Sequence, residues 1–452
     1  MPVADLILKN ANVITVDPAQ PNAELVVVRG DRVLLVAGNE ELDSVRGAKT
    51  RVIDCQGKTL VPGFNDAHCH IFSFIRKLLT IDLSPSSVNS ISDIKAVIRR
   101  QAQNTPPRQW LTGTDYNDFY LAEKRHPMMG CIREKVMPPL SEAEITEGIT
   151  LANEHYLSQG ITSLQDVTVV NDFRRWQSYR RFKDTGRLKS RLYMMSGRET
   201  LGRFQEAGLT FGSGDSHLRL GGVKILPNEA TGQLYPPQPE LNQQVLDIHR
   251  AGFQVAIHAI QESMVAAAIT ALEYAQGQLP QGDRRHRIEH CSECPPGLLG
   301  RLKRLPAMVV TQPPFLYYSG ERYLVTVPTR QLQWLYRIKS FLDSGLVVAA
   351  GSDSPIVPDN PLMGIYAAVT RQAESGQQLL PEECISASQA LAMYTINAAY
   401  ASFEEGIKGS ITPGKLADLV LLSDDPTRVP PEQIKEVKVE MTIIGGEVVW
   451  EA

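Results

Sequence analysis

Short runs of hydrophobic and β-branched residues occupy both ends of the chain, and turn-forming residues separate them. Runs of this length and composition are typical of β-strands. Gly30-Asp31 and Gly445-Gly446 each lie between two such runs, where they favour hairpin turns. We therefore predict a small composite β-sandwich domain formed by residues 1–58 and 403–452. The predicted strands are Leu6–Val16, Leu25–Arg29, Arg32–Ala37, Ala417–Leu422, Val437–Ile444 and Val448–Trp450.

The middle of the chain alternates short hydrophobic runs with longer segments of helical period. About eight such units in roughly 300 residues match the size of a (β/α)8 barrel. We predict an α/β fold, with a (β/α)8 TIM barrel over residues 59–402. Its strands are predicted at Thr59–Ile71, Ile161–Val167, Arg191–Met195, Leu220–Leu226, Gln254–Ala259, Arg287–Cys291, Ala307–Gln312 and Leu346–Asp353. Helices are predicted at Glu142–Gln159, Pro239–Ala251, Glu262–Ala275 and Gln331–Ser344.

Two histidines stand close together where the first barrel strand ends. His68 and His70 are two residues apart, so a strand places both imidazoles on the same face. That spacing suits two ligands of one metal ion. A lone His-x-His pair is equally typical of two half-buried structural histidines.

Three further residues of ligand type end other predicted strands: His258, His290 and Asp353. Each alone has a structural explanation, as a satisfied core histidine or as an aspartate that caps the next helix. Together they gather at the carboxyl-terminal face of the barrel, where barrel enzymes place their chemistry. The other histidines lie in polar or helical contexts, and we expect them at the surface: His126, His155, His217, His249 and His286.

A lysine interrupts the fourth predicted barrel strand. Lys224 lies within the hydrophobic segment 222–226, although lysine is almost never fully buried without a partner. One explanation is a salt bridge to an acid on a neighbouring strand, such as Asp166. The other is that CO2 has carbamylated the amine, which converts a cation into a carboxylate able to bridge two metal ions.

Composition and charge narrow the classes of function. The chain is 43% hydrophobic and 21% charged, which is ordinary for a globular protein. Its formal net charge of −4 gives no electrostatic reason to bind nucleic acid or an anionic membrane. The six cysteines are too few for a disulfide scaffold, and no hydrophobic run reaches the ~20 residues of a membrane helix. We expect a soluble cytoplasmic protein with neither a nucleic-acid nor a membrane partner.

The ordered set of strand-end residues described above resembles the metal-dependent amidohydrolase superfamily. Two flanking segments strengthen the resemblance. Residues 59–66 (TLVPGFND) look like the superfamily's entry into the first barrel strand, and residues 409–420 (GSITPGKLADLV) look like its return to the sandwich. Residues 256–259 and 286–291 are similar to the subgroup of N-substituted formamide deformylases.

The resemblance implies a binuclear metal centre, usually zinc, in which a hydroxide bridging two divalent ions attacks the substrate. It also implies a CO2-derived carbamate on Lys224. Asp353 would take the proton of the attacking water and pass it to the departing nitrogen. The implied ligands are His68, His70 and Asp353 for one ion and His258 and His290 for the other, with carbamylated Lys224 bridging both.

The resemblance favours hydrolysis of a C–N bond of amide, cyclic amide or N-formyl type in a small, apolar or aromatic substrate. Deamination of an aromatic base is an alternative. Deaminases of this fold place a Glu three residues after the strand-5 His, where this chain has Gln261, and would leave Lys224 without a role. Ester or carbamate hydrolysis stays open, as does a catalytically silent scaffold, which would be expected to lack a ligand. The family also favours a homo-oligomer.

Aromatic and polar residues near the expected loops are candidate substrate contacts, although loop packing explains several of them equally well. Relatives carry a long segment after the first barrel strand. Here residues 125–127 run almost directly into 128–134, so that segment is shortened and we predict a more open pocket. The predicted substrate contacts are Phe72, Tyr235, Gln312, Phe315 and Tyr317.

Overall fold

The computed structural model describes residues 3–106, 110–124, 140–229, 233–280 and 282–452. In these ranges, strands are labelled in chain order. The barrel strands are β8 (Phe64–Cys69), β11 (Ile161–Asp166), β12 (Arg191–Gly197), β13 (Leu218–Ile225), β14 (Val255–Ala259), β15 (His286–His290), β16 (Ala307–Thr311) and β17 (Val348–Ala350). The other strands are β1 (Leu6–Lys9), β2 (Asn12–Ile14), β3 (Asn22–Ala23), β4 (Leu25–Arg29), β5 (Arg32–Ala37), β6 (Arg51–Asp54), β7 (Thr59–Pro62), β9 (Ile81–Asp82), β10 (Gly113–Thr114), β18 (Leu419–Leu422), β19 (Val439–Ile444) and β20 (Glu447–Glu451).

Two sheets form the sandwich domain. One has the strand order β5-β4-β1-β6 and the other β20-β19-β18-β7-β2-β3. The second sheet joins both ends of the chain, because β18 pairs antiparallel with β7 and β19. Leu8, Val26, Leu60 and Leu419 contribute to the shared hydrophobic core. This confirms the predicted composite β-sandwich, and strand pairing carries it to Pro62, beyond the predicted boundary at residue 58.

The predicted hairpin turns are both present. Gly30 and the pair Gly445-Gly446 adopt positive φ between antiparallel strands, a conformation that glycine adopts without steric cost. Asn10 also has a positive φ, of 53°. That residue divides the predicted strand Leu6–Val16 into β1 and β2.

The eight barrel strands form one parallel sheet in the order β17-β16-β15-β14-β13-β12-β11-β8. The sheet closes on itself where β17 approaches β8. Asp353 N donates to His68 O at 2.7 Å, and His70 N donates to Ser354 O at 2.8 Å. A Cβ atom on Gly351 would lie 2.5 Å from the backbone nitrogen of His68, so this close approach requires glycine. The structure confirms the predicted (β/α)8 barrel.

Helices cover the outside of the barrel, and buried apolar side chains fill the layer between strands and helices. Helix α4 starts with a capping box formed by Ser141 and Glu144. None of the helices in the described ranges is long and apolar enough to cross a membrane. The helices are α1 (Leu42–Val45), α2 (Ile71–Leu78), α3 (Ile91–Asn104), α4 (Glu142–Ser158), α5 (Phe173–Asp184), α6 (Leu201–Glu206), α7 (Gln238–Arg250), α8 (Glu262–Gln278), α9 (Pro296–Leu302), α10 (Pro314–Thr326), α11 (Thr329–Leu332), α12 (Ile338–Asp343), α13 (Pro361–Thr370), α14 (Ala387–Met393) and α15 (Ile396–Ala401).

One predicted helix is divided. The prediction of a single helix over Gln331–Ser344 is wrong, because α11 and α12 occupy this span with a turn between them. Tyr336 sits in the turn with a φ of 49°. Its nitrogen donates to Ser292 O at 2.8 Å, and its carbonyl accepts from the Arg371 guanidinium at 2.7 Å. These tertiary hydrogen bonds outweigh the local helical preference.

The long connection after β8 contains α2, β9, α3 and β10 before it reaches α4. Leu83, Val88, Ile91, Ile94 and Leu121 give this region a small core of its own. The shortened segment predicted from residues 125–134 lies outside the described residues.

Candidate metal centre

The ends of barrel strands bring the predicted metal ligands together. Ligand atoms of His68, His290 and Asp353 all lie within 4.8 Å of one another. Asp353 Oδ1 is also 3.1 Å from His70 Nε2. The ring of His258 lies 4.5 Å, centroid to centroid, from the ring of His290. Residues from four separate strands therefore form one compact cluster, which could hold a metal ion.

Two members of the cluster have left-handed backbone conformations. The φ angle is 70° at His290 and 62° at Asp353, a region that residues other than glycine rarely occupy. Along a regular strand His290 would face away from Glu289, but the bend at the strand end brings its ring within 4.9 Å of the His68 ring. Strain of this kind concentrates at functional sites because the surrounding structure enforces it.

Three of the clustered histidines use one ring nitrogen for a contact within the protein. His68 Nδ1 lies 2.5 Å from Glu289 Oε2, and His290 Nδ1 lies 2.6 Å from Gln312 Oε1. Both partners are acceptors, so each Nδ1 carries the hydrogen and Nε2 keeps its lone pair. His70 Nδ1 similarly lies 2.9 Å from Thr168 Oγ1. Metal-binding histidines in proteins have this same division between their two nitrogens.

Lys224 is buried beside the cluster. Its side-chain nitrogen has no hydrogen-bond partner, and burial lowers its pKa to about 8 against the opposing charges of Glu289 and Asp353. The alternative of a salt bridge to Asp166 does not hold. That carboxylate accepts hydrogen bonds from the Thr168 backbone and the Tyr179 hydroxyl. A buried amine without a partner is costly unless it is neutral or modified.

Burial and charge set the protonation of the other groups. Burial, followed by the nearby charge of Lys224, lowers the pKa of His258 to about 4, and burial also lowers the pKa of His290. Both imidazoles are therefore neutral near pH 7, as metal ligation requires. Burial would raise the pKa of Asp353, but its contacts with the imidazoles of His68 and His70 outweigh burial and hold that pKa well below its ordinary value.

A buried ion pair underlies the cluster, and sequence reasoning missed it. Arg287 and Glu289 are both fully buried, and Arg287 Nε donates to Glu289 Oε1 at 2.6 Å. Their spacing of two on a barrel strand was a usable signal, because it places two charged side chains on one face.

The predicted substrate contacts have different surroundings. Gln312 is fully buried and its carbonyl accepts from His290, so this residue holds a histidine. Phe72 packs 5.4 Å from the Tyr179 ring on α5. Phe315 stacks on Tyr336 at 6.5 Å.

Tyr317 and Tyr235 have contrasting environments. Tyr317 contacts the rings of Tyr318 and Tyr366. Tyr235, in the loop after β13, is 69% exposed.

Two tyrosines near Asp353 were not predicted. The hydroxyls of Tyr323 and Tyr336 are 3.4 Å apart. Burial raises the pKa of both phenols, and the charge of Asp353 acts in the same direction. Because Tyr336 lies in the turn that divides α11 from α12, the prediction of a continuous helix concealed its position.

The expectation that the remaining histidines are at the surface is wrong for two of them. His249 and His286 are buried, with their ring nitrogens 2.9 Å apart. Helical and polar neighbours along the sequence concealed a contact between α7 and β15. His217 is exposed, His155 is partly exposed and bonded to Asp359, and His126 lies outside the described residues.

Comparison with known proteins agrees with the fold. The chain is 25% identical to the N-substituted formamide deformylase of Arthrobacter pascens over 536 aligned residues, covering 99% of this chain and 98% of that protein. It superposes on an uncharacterized metal-dependent hydrolase from Pyrococcus horikoshii OT3 with a TM-score of 0.77 and 21% identity, over 94% of this chain and 99% of the other. A zinc-bound adenosine deaminase from Xanthomonas campestris has a TM-score of 0.65 and 15% identity, over 99% and 93% of the two chains.

The sequence profile of the amidohydrolase family matches residues 51–131 and 128–450, which together include β7, β18 and the whole barrel. This confirms the predicted resemblance. The chain belongs to the amidohydrolase family, and is a hydrolase of carbon–nitrogen bonds other than peptide bonds.

Proposed function

We propose that the protein hydrolyses an amide, cyclic amide or N-formyl C–N bond in a small substrate with an apolar or aromatic group, using two divalent metal ions. The ions are Zn²⁺ in this proposal. His68, His70 and Asp353 would hold one ion and His258 and His290 the other, and a carbamate on Lys224 would serve both.

The observation that carries the proposal is the state of Lys224. Its amine is buried, has no hydrogen-bond partner and lies close enough to His258, His290 and Asp353 for their charges to interact. A structural lysine would be expected to find an acceptor. An amine converted to a carbamate would instead present two oxygens to the cluster, which supplies the anionic ligand that a pair of cations needs.

The lowered pKa of Lys224 also suits the modification. A pKa of about 8 leaves a useful fraction of neutral amine near pH 7. The lone pair of the neutral amine forms a bond to the carbon of CO2, the electrons of one C=O π bond move to oxygen to give a carboxylate, and the nitrogen releases a proton to solvent. The cation at this position becomes an anion.

The chain's own residues supply the remaining chemistry. Bound divalent ions lower the pKa of coordinated water and polarise a substrate carbonyl. The Asp353 carboxylate is held in its ionised form, so it can accept the proton released by water. It then delivers that proton to the departing nitrogen, which leaves as a neutral amine. Neutral His258 and His290 keep their lone pairs for ligation.

Exposed hydrophobic side chains follow several barrel strands and support an apolar substrate group. Val170, Leu226, Ile260 and Ile356 are 60%, 51%, 36% and 66% exposed, respectively. Each follows the carboxyl end of a barrel strand, on the same face as the metal cluster. Apolar surface around a few convergent polar groups is typical of small-molecule sites.

A hydrolysis screen tests the proposal. Protein reconstituted with zinc and bicarbonate is assayed against N-formyl, N-acyl and cyclic amides with benzyl, alkyl or charged substituents, together with matched esters and aromatic aminopurines. We expect turnover of amides with apolar substituents and none of the aminopurines. Turnover of esters alone would overturn the assignment to a C–N bond, and turnover of aminopurines would overturn the assignment to an amide-type substrate.

A further inference from the structure

We propose that Arg287 and Glu289 form a positioning pair for His68, and that the negative charge of Glu289 sets the metal affinity of the centre. The inference rests on the proposed function, because it concerns how one of the proposed ligands is held. It assigns a role to two charged residues that the proposed chemistry does not itself use.

The geometry fixes the carboxylate of Glu289 from two sides. Arg287 Nε donates to Oε1 at 2.6 Å and Nη2 donates to Oε2 at 3.1 Å. Oε2 also accepts from His68 Nδ1 at 2.5 Å. All the hydrogen bonds converge on a side chain with no solvent exposure, so the carboxylate has a single available position.

The guanidinium is fixed as firmly as the carboxylate. Arg287 Nη1 donates to Gln165 Oε1 at 2.6 Å, and Nη2 donates to the carbonyl of Ala67 at 2.7 Å. Ala67 directly precedes His68 on β8. The pair therefore holds the backbone beside His68 through Arg287 and the imidazole itself through Glu289, so strand and ring cannot move independently.

This arrangement determines which nitrogen of His68 is available. With Nδ1 donating to the carboxylate, the lone pair of Nε2 lies on the side of Asp353, 3.4 Å from Oδ1. A carboxylate behind a ligating imidazole also increases its strength as a donor, which a neutral amide in the same place would not do. The charge of Glu289 thus affects metal binding beyond the orientation of the ring.

A buried ion pair has an alternative explanation, since breaking any such pair destabilises a fold. Arg191 and Asp418 provide a matched case within the same chain. Arg191 Nε lies 2.6 Å from Asp418 Oδ2, and both side chains are at most 4% exposed. This pair joins the barrel to the sandwich and has no contact with the histidine cluster among its hydrogen bonds within the described residues.

The test compares Glu289→Gln, the double variant R287M/E289Q and the control Asp418→Asn. In the double variant no buried charge remains unpaired, and the Gln carbonyl can still accept from His68 Nδ1. Thermal unfolding of metal-free protein measures the fold. Competition of Zn²⁺ with a chelator measures affinity, and the visible spectrum of Co²⁺-loaded protein reports the ligand geometry.

We expect Glu289→Gln and the double variant to bind Zn²⁺ about 10- to 100-fold more weakly than the unaltered protein, with an altered Co²⁺ spectrum. The double variant should unfold at a higher temperature than Glu289→Gln. Asp418→Asn should lose stability yet keep its zinc affinity. A folded double variant with unaltered zinc affinity and Co²⁺ spectrum would overturn the inference. A double variant that does not fold would also overturn it, because the role of the pair would then be to stabilise the barrel. Absence of zinc binding by the unaltered protein would instead overturn the proposed function.

Discussion

The candidate metal centre and the His249–His286 pair lie at opposite ends of strand β15. Their histidines differ in how the ring nitrogens are bonded. His290 ends β15 within the candidate metal centre, whereas His286 begins β15 and contacts His249. In the His249–His286 pair every nitrogen has a partner. Val255 N donates to His286 Nδ1 at 3.0 Å, and His249 Nε2 lies 2.8 Å from the carbonyl of Leu279.

Structural and functional histidines in this fold are distinguished by whether both ring nitrogens are bonded within the protein. The Leu279 carbonyl can only accept, so His249 donates to it and accepts from His286 in turn. This chain of bonds is complete within the protein. In the metal centre, His68 and His70 each have Nδ1 bonded to a neighbour while Nε2 faces the Asp353 carboxylate. Only the second arrangement leaves nitrogens for an external ligand.

The largest effect is expected from removing the lysine of the metal centre. Lys224→Ala should weaken metal binding by at least about 100-fold, more than is usual for loss of a residue behind the ligands, and should abolish turnover. Partial rescue by a short carboxylic acid is expected, because it can replace the carbamate. Elemental analysis and activity assays provide the measurement. Lys183→Met is the control, since Lys183 donates to the Ser190 carbonyl and should be dispensable for metal binding. Undiminished metal content in Lys224→Ala would remove the bridging role.

The second-largest effect on turnover is expected from removing the carboxylate that transfers the proton. Asp353→Asn should lower kcat by about 10²- to 10⁴-fold, the usual contribution of a positioned acid or base, while the far-ultraviolet circular dichroism stays unchanged. Asp359→Asn is a matched control, because Asp359 is also buried but bonds to His155. Near-normal turnover of Asp353→Asn would exclude it as the group that carries the proton.

The structural histidines His249 and His286 should affect how the free energy of unfolding depends on pH, and they should not affect activity. Burial, followed by the charge of His249, lowers the pKa of His286 from 6.5 to about 3. The pKa of His286 is lower in the folded protein than its unfolded value of 6.5. The contribution of this group to stability is therefore fully present above pH 6.5 and is lost as the pH falls toward 3. The loss at pH 5 is about 2 kcal/mol for this group.

Urea unfolding of metal-free protein at pH 7.5 and pH 5 measures this loss. In His286→Asn the decrease in unfolding free energy between the two pH values should be smaller by that amount, while zinc affinity at pH 7.5 stays the same. An identical pH dependence in the variant and the unaltered protein would show that His286 titrates normally and that the bonded pair does not matter for stability.

The smallest effect is expected at the periphery of the metal centre. Gln312→Met removes the acceptor of His290 Nδ1 while keeping much of the side-chain volume. About 10-fold weaker zinc binding should result, measured by chelator competition. Gln254→Met is the control, because Gln254 bonds to Arg285 and Ala401 carbonyls at the other end of the barrel. Equal zinc affinities in the two variants would show that the contact between Gln312 and His290 does not affect metal binding.

The sequence was sufficient to predict the (β/α)8 barrel, both hairpin turns and the strand ends that converge in the candidate metal centre. Strand period and turn residues determine those features locally, and the order of a parallel barrel then gathers the strand ends at one face. The division of the helix after residue 331 was not predictable, because the bonds of Tyr336 to Ser292 and Arg371 come from distant parts of the chain.

Contacts between side chains that are distant in the sequence also limited the prediction of the site. Gln312 ends a strand beside the centre, but only the packed structure places its carbonyl against His290. His249 and His286 are 37 residues apart, and nothing in either local pattern indicates that they meet. The pairing of Arg287 with Glu289 was accessible in principle, since both lie on one face of β15, whereas the contact with His68 on β8 was not.

Carbon NMR tests whether Lys224 carries the proposed carbamate, because the carbamate carbon can be labelled from bicarbonate. Protein reconstituted with zinc and ¹³C-bicarbonate should give a carbamate carbonyl resonance that persists after free bicarbonate is removed. The resonance should be absent from Lys224→Ala and should disappear when a chelator strips the metal. A spectrum of the zinc-loaded protein with no resonance beyond that of Lys224→Ala would contradict the account.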